Sequence, residues 1–435
     1  MMKKKVTIVG AGIGGLSVAA LMNRAGHDVS ILESHNKMGG LATWFYREDK
    51  KFLFQVTQNL FPMRMKKSMR RIWGDAFSNC LRPFKETYFY KEKLMKIPYR
   101  AEDMGDYFIK NEITTKAKWE SFLANMNLPP NQHLSIQEYL SEFLGTQEDI
   151  FFYLFAPIKF AKALNLNDPI GPFLQTLGHF FPDGPLILNT TLPQFFKLMR
   201  THLSENGIDL FLNHHVKKIA RKNGQIFSIN TNKKSFDSDV ILWNAPLKSL
   251  AEQLDEHDTW HQFQVSEKSS IFQVYFGLNS PLGHPSHIIF LHQSQDFHEG
   301  YFFYDSSLLT LIYTRHQTLS TPLLDQANFS NEKINLIQHA KKLAQKIFGP
   351  ELEIIYEEAS TPQTVERYTK HPYGSAFGTG ASGPLFLNAL TSKHSGVYFC
   401  GAVGESISGW QGVMNYSQYV ANEVSHYLSE NFLHS

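Results

Sequence analysis

A glycine-rich loop between a strand and a helix, near the amino terminus, is the feature that most narrows the fold. Val6-Thr7-Ile8-Val9 is a short β-branched run, the pattern of a buried strand. Gly10-Ala11-Gly12-Ile13-Gly14-Gly15 follows and sets Gly10, Gly12 and Gly15 in a G-x-G-x-x-G spacing. Leu16 to Ala25 reads as a helix closed by Gly26, and Asp28 to Leu32 as a second strand ending at Glu33. Gly10 permits a tight turn, Gly12 lets the backbone approach a pyrophosphate, and Gly15 lets helix and strand pack closely. The helix start offers free N–H groups and a positive dipole end to phosphates. Glu33, with Ser34 beside it, stands where a carboxylate accepts hydrogen bonds from a ribose. The glycine spacing alone is a weak signal. Strand, glycines, helix, strand and acid in that order supply the context of a dinucleotide site. The bland alternative is a loop that holds no ligand.

A chain of 435 residues exceeds one compact core and suits two or three domains. Its 43% hydrophobic and 19% charged residues are those of a soluble globular protein. A net charge of +2 demands no polyanionic partner, and no nucleic-acid signature is present. Cys80 and Cys400 are too few for a disulfide framework, which favours a reducing, cytoplasmic setting. The 19 histidines show no metal spacing, so no metal is expected, and His214-His215 reads as a loop pair. Lys3-Lys4-Lys5 before an apolar run imitates a signal peptide, but the glycines break that run. No apolar stretch is long enough to span a membrane. Aromatics reach 14%, which fits either large aromatic cores or an apolar substrate cavity.

The other end of the chain repeats the logic. Gly396 to Ala402 reads as a strand and glycine turn, followed by Gly404, Glu405, Gly409, Trp410, Gln411, Gly412 and Val413. From Val413 to Leu428 a helix is expected, with Val413, Tyr416, Val420 and Val424 on one face. Two glycine-rich segments this far apart imply that the chain leaves a dinucleotide domain and returns to it.

Several blocks resemble the phytoene desaturase, carotenoid isomerase and retinol saturase group of the flavin amine oxidase superfamily. Gly39-Gly40-Leu41-Ala42-Thr43 is similar to the family's second glycine pair, which implies a loop close to the FAD phosphates and ribityl chain. Ile208 to Ile219 resembles a strand pair in which Val216 matches a backbone contact to adenine. Asn244-Ala245-Pro246 is similar to the turn that closes that region. Ser360-Thr361-Pro362-Gln363-Thr364-Val365-Glu366-Arg367-Tyr368 and Gly374-Ser375-Ala376-Phe377-Gly378 form the most selective match. There Pro362 is expected to fix a bend, and Gly374 and Gly378 to let the chain approach a ligand. At the carboxy terminus the resemblance implies a helix start aimed at the flavin ring, with Glu405 where the family has Asp. Further departures are Gln55, where an Asp is usual, and Pro182-Asp183-Gly184-Pro185. They lie in the region that shapes the substrate.

The segment from Phe61 to Trp73 is basic and apolar together. Met65, Met69, Ile72 and Trp73 share a helical face, and Arg64, Lys66, Lys67, Arg70 and Arg71 supply cations. Such a helix lies on an anionic bilayer or packs its apolar face on the core. Residues 104–185 read as a helical cap, with Phe151 to Phe155 as core.

The expected fold is α/β, a Rossmann-like FAD-binding domain with a mixed sheet-plus-helix substrate domain. Residues 1–75, 190–260 and 355–435 are assigned to the FAD domain, 76–189 and 261–354 to the substrate domain. The expected cofactor contacts are Gly10, Gly12, Ile13, Gly14, Gly15, Glu33, Ser34, Gly39, Gly40, Leu41, Ala42, Val216, Gly401, Glu405, Gln411, Gly412 and Val413. No catalytic acid or base is assigned. The expected function is an FAD-dependent oxidoreductase (desaturase, saturase or isomerase) acting on an apolar isoprenoid, polyene or lipid-like molecule. Its rivals are a flavin amine oxidase and a degenerate flavin-binding scaffold or lipid carrier.

Overall fold

The computed structural model of the chain describes residues 3–56, 61–83, 86–126, 133–162, 164–181, 184–222, 226–263, 269–282, 288–292, 300–305, 307–316, 326–371, 374–376, 382–401 and 409–431. Five strands form a parallel sheet in the order Asp209–Phe211, Asp28–Leu32, Lys5–Val9, Val240–Trp243, Val397–Phe399. Their sequences are hydrophobic on both faces, as parallel strands are when both faces are covered. Val6 and Ile8 face a core shared with helices Ile13–Arg24, Arg64–Trp73, Leu192–Glu205 and Gly409–Asn431. Val9, Ile241 and Trp243 face a second core. The antiparallel ladder Val216–Lys222, Ile226–Thr231, Ser235–Ser238 and the helices Leu247–Gln253 and Ser382–Lys393 cover it.

A seven-stranded sheet makes the second unit. Its order is Ile354–Ser360, Ser269–Leu278, Leu308–His316, Gly300–Asp305, Ile288–Leu291, Glu86–Lys91, Lys93–Pro98. It is antiparallel except where Ile288–Leu291 runs parallel to Glu86–Lys91. Side chains alternate across it. Phe272, Val274 and Phe276 pack with Ala340, Leu343 and Ala344 of helix Gln326–Phe348. On the other face Phe89, Phe290, Tyr301 and Ile312 pack with helices Ala101–Lys110, Lys116–Asn125, Ile136–Leu144, Glu148–Lys162 and Ile170–Phe180. Phe152, Tyr153, Leu154 and Phe155 are buried in that layer.

The hairpin Trp44–Arg47/Phe52–Gln55 joins the two units. Phe45, Phe52 and Phe54 pack on Tyr275 of the large sheet. Arg47 holds Glu358 through two hydrogen bonds of 2.7 and 2.9 Å. Gln55 accepts from the Leu192 backbone N–H at 3.0 Å, which closes the start of helix Leu192–Glu205.

Two expectations are corrected. Ile354–Ser360, assigned from 355 onward to the FAD domain, is an edge strand of the large sheet, because it pairs along Ser269–Leu278. Pro362 starts the helix Pro362–Thr369 rather than fixing a bend, and Gly374 lets the chain pass close to that helix start. Gly374 has φ +65°, and a Cβ there would lie 2.1 Å from the Pro362 carbonyl oxygen. On helix Arg64–Trp73, the face made by Met65, Met69, Ile72 and Trp73 is fully buried in the core beside the parallel sheet. Of the two readings of that segment, packing of the apolar face on the core is the one observed, and those four residues are not free to enter a bilayer. No helix among the described residues is long and apolar enough to cross a membrane.

Candidate dinucleotide site

The amino-terminal loop folds around one side chain, Asn244. Its backbone N–H donates to the Val9 carbonyl at 2.8 Å, and its Nδ2 donates to the Gly10 carbonyl at 3.1 Å. The amide then fills the space that side chains on the neighbouring loop would need. A Cβ on Gly12 would lie 2.9 Å from Asn244 Nδ2, and one on Gly15 3.0 Å from it. A Cβ on Gly14 would lie 2.7 Å from Asn244 Oδ1 and 2.1 Å from the Cys400 carbonyl oxygen. Gly14 is thus the point where the first helix meets the carboxy-terminal segment. Ser417 Oγ donates to the Gly14 carbonyl at 3.2 Å, and a Val413 methyl closes the other side.

The second glycine pair lies against the first loop. Gly12 and Gly39 form a parallel bridge, and the Gly39 N–H donates to the Ala11 carbonyl at 2.8 Å. Ala42 is buried and donates from its N–H to the Gly39 carbonyl; Leu41 is half-buried. Glu33 is 6% exposed. Its carboxylate accepts from the backbone N–H groups of Ala11 and His35, each at 2.8 Å, and from Ser34 Oγ at 3.3 Å. The His214 N–H donates to the Glu33 carbonyl, which brings the strand start at Val216 beside the acid. Lys37, on the loop between Glu33 and the second pair, donates to the Trp44 carbonyl, and burial lowers its pKa.

At the carboxy-terminal end, Gly401 reaches the same amide: a Cβ there would lie 3.4 Å from Asn244 Oδ1. Gln411, Gly412 and Val413 are buried in the first turns of helix Gly409–Asn431. Gln411 is 6% exposed and its Oε1 has no hydrogen-bond partner among the described residues. Glu405, with Gly404, Phe377 and Gly378, lies outside the described residues. Burial pushes the Cys400 thiol up, so it stays neutral and is not a nucleophile.

Two observations bear on whether these residues suit a dinucleotide. Helix Ile13–Arg24 begins at Gly12 with no side-chain cap and no acidic residue in its first turn, so its N-terminus is open to an anion. Gln411 supplies a buried acceptor without a donor among the described residues, an arrangement that costs stability unless a further group completes it. Both fit. Residues 10–15, 33–42, 244, 401 and 411–413 come together; the sequence pattern marked Asn244 only as part of a turn. No group of His, Cys, Asp and Glu fit to hold a metal occurs among the described residues.

Comparison with known proteins matches residues 8–76 to a family model described as an NAD(P)-binding Rossmann-like domain. An L-amino-acid oxidase from Gloydius blomhoffii is 43% identical over 109 residues, 25% of this chain and 18% of that protein. The match therefore spans under a fifth of that relative's length. An oxidoreductase from Methanosarcina mazei superposes with a TM-score of 0.70 at 15% identity, covering 96% of this chain and 100% of that one. The chain has a mixed α/β fold with a Rossmann-like dinucleotide-binding domain. A fatty acid isomerase from P. acnes shares the fold, with a TM-score of 0.61 at 12% identity over 97% and 98% of the two chains.

Proposed function

We propose that this chain binds FAD and is an oxidoreductase acting on an apolar, lipid-like substrate. The observation that carries the reading is the convergence on Asn244 of both glycine segments, from opposite ends of the chain. A loop that needed glycine only for its own turn would not need the space on three further glycines filled by one amide. In this reading Gly12, Ile13, Gly14 and Gly15 offer backbone N–H groups to the pyrophosphate, with Gly39, Gly40, Leu41 and Ala42 closing over it. Glu33 and Ser34 take the ribose, and the backbone at Val216 flanks the adenine. Gly401, Glu405, Gln411, Gly412 and Val413 take the flavin end, where the helix N-terminus favours negative charge on the ring. Bound FAD supplies hydride transfer, and the protein orients the substrate and excludes water.

The finer reading is a desaturase, saturase or isomerase of an isoprenoid, polyene or similar chain. The resemblance of Ser360 to Tyr368 supports it, as does a fold shared with a fatty acid isomerase. The similarity to an L-amino-acid oxidase favours a second reading, oxidation of an amine. It predicts hydrogen peroxide release when amino acids or amines are supplied. Against it, the strand Ser269–Leu278 carries no lysine.

The deciding experiment is the visible absorption spectrum of the protein purified without added cofactor, followed by denaturation and identification of released pigment. Flavin bands with FAD released are expected, and polyene bands in addition would name the substrate class. A colourless protein that stays colourless after incubation with FAD would overturn the proposal.

A further inference from the structure

We propose that helix Arg64–Trp73, together with Arg24 and Tyr419, is a docking surface for an anionic lipid bilayer, held by charge without insertion of the helix. The helix is about 15 Å long and contains five cations and no acid. Its apolar residues are engaged in the core, which fixes the outward direction of the rest. Arg64, Lys67, Arg70 and Arg71 are exposed and Lys66 is half-exposed. Arg24 adds a sixth cation at the helix end, donating to the Arg71 and Ile72 carbonyls at 2.6 and 2.7 Å. A net charge of only +2 over the whole chain makes this concentration a property of one face.

An aromatic ring borders the same face. Ser68 donates to Asn415, and Arg71 donates to Gln418, so residues 415 and 418 of helix Gly409–Asn431 lie against the cationic helix. Tyr419 is four residues on from Asn415, on the same side of that helix, and is 58% exposed. Cations beside an exposed tyrosine match a bilayer interface, where lipid headgroups take the charge and the ring sits at their level. Tyr419 stacks on the half-buried Tyr416 at 6.0 Å, so a single exposed ring borders the helix and offers no row of stacking platforms for nucleic acid. The site's purpose rests on the lipid-like substrate proposed above, but vesicle binding is measured without reference to FAD.

The test is co-sedimentation of the full chain with phosphatidylglycerol/phosphatidylcholine vesicles, at ~0.1 M and ~1 M salt, against phosphatidylcholine alone. Arg70 holds Asp75 and Arg71 holds Gln418, so Lys66 and Lys67 are the positions to reverse. Wild type is expected on anionic vesicles at low salt and free at high salt. Lys66→Glu with Lys67→Glu is expected to weaken binding roughly a hundredfold, and Lys66→Arg with Lys67→Arg to preserve it. Tyr419→Ser is expected to weaken it less. An unchanged melting temperature shows that the variants fold. Equal binding by wild type and the charge-reversed variant, equal binding to neutral vesicles, or binding to RNA with none to vesicles would each overturn the proposal. FAD binding without vesicle binding would overturn this inference and leave the proposed function standing.

Discussion

Asn244 does for the glycine loop what the glycines cannot do for themselves. Gly10, Gly12, Gly14 and Gly15 remove side chains, and removal alone leaves a floppy segment with a high entropy to lose on folding. The Asn244 amide, anchored by its own N–H to Val9, fills the gap and fixes the loop against the carboxy-terminal segment. Asn244→Ala is therefore expected to lower stability by about 1–3 kcal/mol, through a lost hydrogen bond and a small cavity. FAD affinity is expected to fall at least about tenfold, since a shift of ~1.4 kcal/mol in the bound state suffices. Denaturant unfolding and FAD titration of the same variant check both numbers, and an unchanged affinity would remove Asn244 from the site. The glycines were legible because their spacing is local in sequence. The role of Asn244 was not, because it depends on which strand pairs with Lys5–Val9, more than two hundred residues away.

At the scale of elements, the units are fastened by specific polar contacts as well as by cores. Arg47 with Glu358 joins the hairpin to the edge of the large sheet, and Glu256 joins helix His257–Phe263 to helix Ser382–Lys393. Burial opposes ionisation of Glu256. Hydrogen bonds from Lys393 at 2.9 Å, from Thr259 and from His394 at 2.8 Å outweigh it and hold the carboxyl at about 2. A carboxyl whose folded pKa lies below its unfolded value binds fewer protons when folded. Its contribution is complete above about 4.5 and is lost as the pH falls towards about 2. Glu256→Gln should thus unfold at nearly the same temperature as wild type at the acid end of that window. Its melting temperature should rise less steeply than wild type's between the two ends, and parallel curves would dismiss the contact. Element types were largely legible where an apolar period was long, as in the carboxy-terminal helix. Helix Arg64–Trp73 was legible as a helix with two possible coverings, a bilayer or the core, because an apolar face reads the same under either; the core is the one found.

Across the whole molecule, the parallel sheet takes strands from residues 5–32, 209–243 and 397–399, so no single stretch of chain holds the candidate site. The large sheet is interleaved with it and runs from residue 86 to residue 360. The large sheet therefore extends past residue 354 into the segment that leads back to the parallel sheet. The edge strand Ile354–Ser360 pairs with a strand some eighty residues earlier, and nothing in its own sequence marks which sheet it joins. The same interleaving has a thermodynamic consequence. A ligand that touches Gly12, Glu33, Gly39, Gly401 and Gln411 bridges segments that separate on unfolding, so it stabilises the assembled state of the entire chain. By linkage, FAD at about 100 times its Kd should add about 2.7 kcal/mol, and the melting temperature should go on rising with the logarithm of FAD concentration. ADP, which reaches only the amino-terminal glycines and Glu33 in this reading, should stabilise less, and riboflavin less again. Thermal melts of the cofactor-stripped protein with each of the three ligands separate the cases. Equal stabilisation by ADP and FAD would mean that Gly401 and Gln411 contribute nothing to binding, and that the carboxy-terminal helix is joined to the loop by packing at Gly14 alone.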